Sequence, residues 1–184
     1  DLQATTSILL KSGVEIHEMN TVRKHLTIFS GGRVAKAFDG PIHVLVLSDV
    51  LGDNLDVIGS GPCVPDTSTF QDVVDIIHNY EIWDLLPETV QTHIQQGHDG
   101  EIAETPKPDA EIFQKVSTTL VGSNKIALSA IASKIKSESD ANVQIISDQL
   151  TGEALEVGKA FAEQAIKAQR GLKKTMVWIA GGET

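Results

Sequence analysis

Four short apolar runs stand out along the 184 residues: 42–47 (IHVLVL), 118–122 (TTLVG), 143–147 (VQIIS) and 175–180 (TMVWIA). They are rich in β-branched residues and alternate little, which predicts strands covered on both faces. Helical spacing lies between and around them. Over 124–137 (NKIALSAIASKIKS) the residues Ile126, Ala130, Ile131 and Ile135 fall near one face. Over 151–170, Thr151 is placed as an N-cap with Glu153 in the first turn, and Lys167, Arg170 and Gly171 suit the dipole and a glycine C-cap. Helix and strand alternate, so the predicted fold class is α/β, an α/β/α sandwich on a mainly parallel, Rossmann-like sheet.

About 70 residues separate the first strand from the second, too many for one crossover. The pattern predicts a helix at 69–79 (TFQDVVDIIHN), another around 87–96, and an exposed polar loop, GHDGEIAETPKPDAE. The first strand runs into SDVLGDNLDVIGSGPCVPD, residues 48–66, nineteen residues where a turn needs two to five. Ligands of open α/β sheets bind beyond the carboxyl ends of strands, and Asp49 sits there. A carboxylate so placed suits Mg²⁺, which takes few carboxylates and keeps several waters. Asp53 and Asp56 follow in the same loop, and Ser60-Gly61-Pro62 offers a hydroxyl and a tight turn whose N–H groups suit phosphate. The competing reading is a structural loop in which these aspartates make Asx-turns.

In EMNTVRKHLTIFSGGR, residues 18–33, helical spacing puts Met19, Val22, Leu26 and Phe29 on one face and Asn20, Arg23, Lys24 and Thr27 on another. An amide, a guanidinium and an ammonium together suit a carboxylate or phosphate. An ordinary amphipathic helix with a solvated polar face has the same spacing. Gly31-Gly32 then marks a helix stop or a close backbone approach. VGSN, 121–124, places Ser123 and Asn124 at a helix N-terminus, as anion site or simple N-cap. Gly181-Gly182-Glu183-Thr184 reads as the turn after the last strand.

Charge narrows the classes. The net charge is −10, which argues against a nucleic-acid footprint or an anionic membrane surface. No apolar run approaches the roughly 18 residues that span a bilayer. Thirteen Asp and Glu and no Lys or Arg lie between Ala37 and Pro106, beside a basic group of Arg23, Lys24, Arg33 and Lys36. That is a metal-and-phosphate arrangement or a solvated acidic surface. One cysteine, Cys63, excludes an internal disulfide, and a cytoplasmic protein fits. The six histidines show no ligand spacing, and Trp83 and Trp178 read as packing residues. Neither G-x-G-x-x-G nor G-x-x-x-x-G-K-[ST] is present. The chain begins at Asp1 within a helical pattern and stops at Gly-Gly-Glu-Thr, which reads as an incomplete piece of a longer protein.

MNTVRKHL with GGR, LSDVLGDNLDVIGSGPCVPDTSTF, TPKP, LVGSN and GGET occur in one order. Together they resemble the class II glycerate kinases, also labelled hydroxypyruvate reductases, from about residue 10 to the end. The resemblance implies ATP-dependent phosphorylation of glycerate to 2-phosphoglycerate with Mg²⁺. It also implies a two-domain enzyme of which residues 1–184 are an incomplete amino-terminal α/β domain, the carboxy-terminal domain being absent. Ser30 stands where the resemblance leads one to expect lysine, Cys63 where threonine is common and Asn54 where a second aspartate is common.

Strand-end placement and this resemblance together assign Arg23, Lys24 and Asp49 to catalysis, and Asn20, Ser60, Gly61 and Asn124 to substrate. They assign Gly181, Gly182 and Glu183 to the nucleotide, and Asp49 and Asp53 to metal. The expected chemistry is in-line phosphoryl transfer, which depends on positioning and charge neutralisation. The rival expectations are an NAD(P)H-dependent hydroxypyruvate reductase, against which the missing dinucleotide fingerprint counts, and a non-catalytic sugar-acid or anion-binding domain.

Overall fold

A computed structural model describes residues 1–169 and 174–184. The helices are α1 (Leu2–Lys11), α2 (Ile16–Leu26), α3 (Arg33–Ala37), α4 (Phe70–Asn79), α5 (Glu88–His98), α6 (Asn124–Glu138) and α7 (Ala154–Gln169). The strands are β1 (Ile42–Leu47), β2 (Val116–Gly122), β3 (Asn142–Leu150) and β4 (Met176–Gly182). The chain divides into two compact units, one of residues Asp1–Val44 and Asn54–Thr119, the other of Leu45–Asp53 and Leu120–Thr184.

The first unit holds most of the buried core. Helix α4 starts where the sequence predicts, because Thr69 and Asp72 form a capping box: the Asp72 N–H donates to Thr69 Oγ1 and the Thr69 N–H donates to Asp72 Oδ2. Its buried residues Phe70, Val73, Ile76 and Ile77 repeat at helical spacing, and Val73, Ile76 and Ile77 share a core with Met19 and Val22 of α2 and Val90 and Ile94 of α5. Each such aliphatic side chain taken from water stabilises by about 1.5–3 kcal/mol. The Phe70 ring lies against Gly97 and meets His25 edge-on, ring centroids 4.7 Å apart.

The second unit is a thinner assembly. Strands β3 and β4 are parallel, with Val143 opposite Val177 and Ile145 opposite Ile179, and the register shifts after Ile145. Helix α6 packs on both strands. Among the described residues the strands form two pairs, β1 with β2 and β3 with β4. The α/β class holds, and the parallel β3–β4 pair is its clearest expression.

Several sequence expectations need correction. Not every strand is covered on both faces: β1 alternates half-buried with exposed residues, and Leu45 and Leu47 are 64% and 75% exposed, whereas β4 is half-buried up to Gly181. A continuous apolar run therefore hid an ordinary two-residue alternation. On α6 the buried residues are Leu128 and Ala132, not Ile126, Ala130 and Ile131, which are exposed. Apolar and polar residues are intermixed around that helix, so periodicity could not single out the packed face. Helix α7 begins at Ala154, leaving Thr151 and Glu153 ahead of it, and the expected Arg170 and Gly171 terminus lies outside the described residues. Strand β4 extends through Gly182, so Gly181-Gly182 is strand and not turn. Among the described residues no helix is long and apolar enough to cross a membrane.

Candidate active site

The assigned residues fall into two groups, one in each unit. In the first unit, α2 carries Asn20 and Lys24 on the face read as either an anion site or a solvated polar surface. Both are buried, 8% and 6% exposed, because the 56–68 segment folds over them. Lys24 Nζ lies 3.3 Å from Asp66 Oδ1 and 3.8 Å from Asp56 Oδ2. Ser60 Oγ donates to Asn20 Oδ1 over a long 3.5 Å. Arg23, one residue before Lys24, is half-buried and makes no hydrogen bond or ion pair among the described residues. Phe29 does not join the Met19 face: α2 ends at Leu26, Thr27 is extended and Phe29 is 65% exposed.

The tight turn at Ser60-Gly61 is real, with φ near +60° at both residues. Its expected phosphate cradle is corrected, however. The Ser60 and Gly61 N–H groups donate to Val57 O and Ile58 O, and Pro62 has no N–H. The turn instead holds the glycine pair, since Gly31 N–H donates to Ser60 O and Gly32 N–H to Gly61 O. Gly31 and Gly32 both have positive φ, and a Cβ on Gly31 would sit 3.2 Å from Asp66 Oδ2. The glycine pair thus serves close backbone approach. Ser30 is buried just before it, its N–H donating to Thr27 Oγ1 at 3.0 Å.

Asp66 was not singled out from the sequence, and it is the best-held carboxylate of this group. It is 2% exposed; Oδ1 accepts from Ser68 N–H at 3.2 Å and Ser68 Oγ at 2.8 Å, and its own N–H donates to Pro106 O at 2.9 Å. Burial alone would push its pKa up, but the Ser68 hydrogen bonds and the Lys24 charge outweigh burial and hold it below the ordinary value. Arg33 lies near enough to feel Asp66 and Glu104, and burial still draws its pKa below the usual guanidinium value. The loop expected to be exposed also packs inward. Thr105 and Pro106 are buried, and Glu104 accepts from the Phe70 N–H at 2.8 Å and meets His25 Nε2 at 3.1 Å.

In the second unit, Ser48 ends β1 by donating its N–H to Gly122 O, which leaves Asp49 exposed with no protein partner among the described residues. Asp49 lines an open cavity of about 290 Å³ together with Ser48, Asn124, Gly182 and Glu183. Ser123 caps α6, its Oγ accepting from Ile126 N–H at 3.4 Å. Asn124 Nδ2 donates to Asp148 O at 2.6 Å. Asp53, at φ 56°, lines a smaller cavity of about 120 Å³ with Asn124, Lys125 and Asp148. Gly181 and Gly182 are required by packing: a Cβ would run into the Asn124 amide at the first and the Leu150 backbone at the second.

The donors around the larger cavity are carboxylate, hydroxyl and amide oxygens, the set a hard cation takes. Among the described residues no group of three or more His, Cys, Asp or Glu converges on a metal position. Mg²⁺ bound through one or two carboxylates, water and substrate phosphate needs no such group, so Asp49 and Glu183 fit it. Cys63 is a free thiol, and burial pushes its pKa up, against a nucleophilic role. His25 is buried, His17, His43 and His98 are exposed, His78 stacks on Trp83 at 5.8 Å, and Trp178 lies edge-on to Phe161 at 6.3 Å.

Comparison with known proteins places these features in a family. The family model described as a domain of unknown function (DUF4147) matches residues 1–95. The chain is 41% identical over 187 residues to glycerate 2-kinase of Pyrococcus horikoshii, covering all of this chain and 42% of that protein. It is 39% identical over 190 residues to a putative hydroxypyruvate reductase of Agrobacterium vitis, covering all of this chain and 40% of that protein. The crystal structure of glycerate kinase from Thermotoga maritima superimposes with a TM-score of 0.83 at 41% identity, over the whole chain and 42% of that protein. The chain thus spans about two fifths of the length of the relatives it matches. It belongs to the glycerate kinase family that carries the DUF4147 domain.

Proposed function

We propose that the whole protein carrying this chain phosphorylates glycerate, taking the γ-phosphoryl group of ATP onto the 2-hydroxyl to give 2-phosphoglycerate, with Mg²⁺. The observation that carries this reading is the strand-end cavity, where Asp49, Asn124 and Glu183 line one space. The name of the Pyrococcus horikoshii relative supplies the substrate class.

In this reading Asp49 and Glu183 would hold Mg²⁺, with Asp53 lining the adjoining cavity, and the ion would supply positive charge to offset that of the phosphates. Asn124, locked onto the Asp148 carbonyl, presents its remaining amide atoms to substrate. Within the first unit, Lys24 and Arg23 offer cationic donors suited to a carboxylate or phosphate, and Asn20 and Ser60 lie beside each other on the same wall. Such a site works by orientation and electrostatics, since phosphoryl transfer asks little covalent chemistry of the protein. A coupled kinase assay on the whole protein, with glycerate and close analogues and with and without Mg²⁺, tests it. Turnover absent with every donor and metal would overturn it.

One observation favours a second reading, the naming of the Agrobacterium vitis relative as a putative hydroxypyruvate reductase. The chain has no G-x-G-x-x-G turn to hold a pyrophosphate. NAD(P)H oxidation with hydroxypyruvate, measured beside ATP consumption with glycerate, separates the two.

A further inference from the structure

Lys24 is a buried ammonium, and its surroundings are asymmetric. Taking a charge from water is costly unless it is paired, and a buried pair adds little net stability over well-packed apolar residues. The pairing here is therefore better explained by what it holds in place. On one side is Asp66, 2% exposed and tied at three points that do not involve Lys24: Ser68 N–H, Ser68 Oγ and, through its own N–H, Pro106 O. On the other side is Asp56, whose side chain is 54% exposed and whose Oδ2 lies further off at 3.8 Å. The missing side chain of Gly31 lets the 30–33 turn close against Asp66 Oδ2. The carboxylate is thus the fixed member and the lysine the one that is aimed.

We propose that Asp66 is the positioning residue for Lys24, holding Nζ so that one of its three N–H donors faces the solvent side marked by Asp56, where an anionic substrate group binds. This deepens the kinase reading and rests on it. Asp66 touches no substrate: it acts through Lys24. Asp56 contacts the same ammonium loosely and gives way to the incoming anion.

The test is a double-mutant cycle in the whole protein, with kcat/KM for glycerate measured for Lys24→Gln, Asp66→Asn and both together. Each single substitution is expected to lower kcat/KM by about 100-fold, the scale of a misplaced binding group. Asp66→Asn is expected to change the Lys24→Gln protein by no more than about 2-fold, because groups acting as a unit are not additive. A purely structural Asp66 would cost the same factor in both backgrounds, and that result overturns the proposal while leaving Lys24 in its role. Full activity in Lys24→Gln overturns both.

A second measurement needs no activity. Amine acetylation followed by mass spectrometry is expected to modify Lys24 at least about 10-fold more in Asp66→Asn, since Nζ loses its nearer ion-pair partner and is freed to meet reagent. Labelling of Lys107, which is held by Glu104, Thr105 and Ser68, should stay constant if the fold persists. Unchanged labelling of Lys24, or an equal rise at Lys107, overturns the proposal. If the unmodified protein does not phosphorylate glycerate, the functional reading falls, and labelling still decides whether Asp66 holds Lys24.

Discussion

The space that a side chain at Gly181 would need is occupied by the amide of Asn124, which reaches past the glycine to donate to the Asp148 carbonyl. A glycine on β4 and an asparagine at the start of α6 are thereby coupled, and both border the cavity that Asp49 lines or lie beside it. Gly181→Ala should push Asn124 off Asp148. The expected result is an overpacking cost of about 1–3 kcal/mol together with loss of kinase turnover. Urea unfolding beside the coupled assay checks this, and wild-type turnover in Gly181→Ala would remove Asn124 from the site.

Asp49 is exposed and without a protein partner among the described residues, so its charge does little for the fold. In the whole protein, Asp49→Asn should leave stability within about 0.5 kcal/mol of the parent, as for other surface changes. Turnover should fall by about 100-fold or more, the scale of losing one charge-stabilising group. Raising Mg²⁺ should recover part of it. Thermal melts and a Mg²⁺ titration of kcat are the measurements.

The acid limb of stability has a defined sign. Asp66 and Glu104 both have folded pKa values held below their ordinary ones. Their stabilising contribution is therefore complete above the unfolded carboxylate range of about 4 and is lost as pH falls through the lowered folded values. Urea midpoints should be flat from neutral pH down to about 5 and drop below 4. Asp66→Asn should make that drop shallower. An acid limb unchanged in Asp66→Asn would show that Asp66 does not contribute to it.

Thr69 caps α4 well away in role from any assigned chemistry. Thr69→Ala should destabilise by about 1 kcal/mol, through loss of the acceptor for the Asp72 N–H. For a chain of this size that lowers Tm by about 2–4 °C. kcat should not change. A calorimetric scan and the kinase assay together check the separation.

Local rules made some of this legible and stopped at a definite place. Thr69 and Asp72, three residues apart before an apolar run, are a helix start that any chain context preserves, because both hydrogen bonds are within one turn. The β1 limits Ile42–Leu47 coincide with the apolar run for a similar reason: the polar residues beyond it end the strand. By contrast, Asp49, Asp53, Asp56 and Asp66 look alike in a line of sequence. Which is buried depends on Ser68, Pro106 and Gly31, and Pro106 and Gly31 are far from Asp66 along the chain. The α6 face failed likewise, since apolar and polar residues intermixed around the helix leave the choice to what packs on it.

Most helices and strands, their order and the family followed from the sequence by itself, because spacing, capping and turn chemistry act within a few residues; the short helix α3 and the run of β4 through Gly182 did not. Which polar residues are buried was decided by tertiary structure. Lys24 and Asn20 sit on the polar side of an amphipathic helix, yet the 56–68 segment closes over them, and Asp66 supplies the counter-charge that makes burial of an ammonium tolerable. That choice is one of long-range packing and charge pairing, whose partners are set by the folded chain and not by neighbours in sequence.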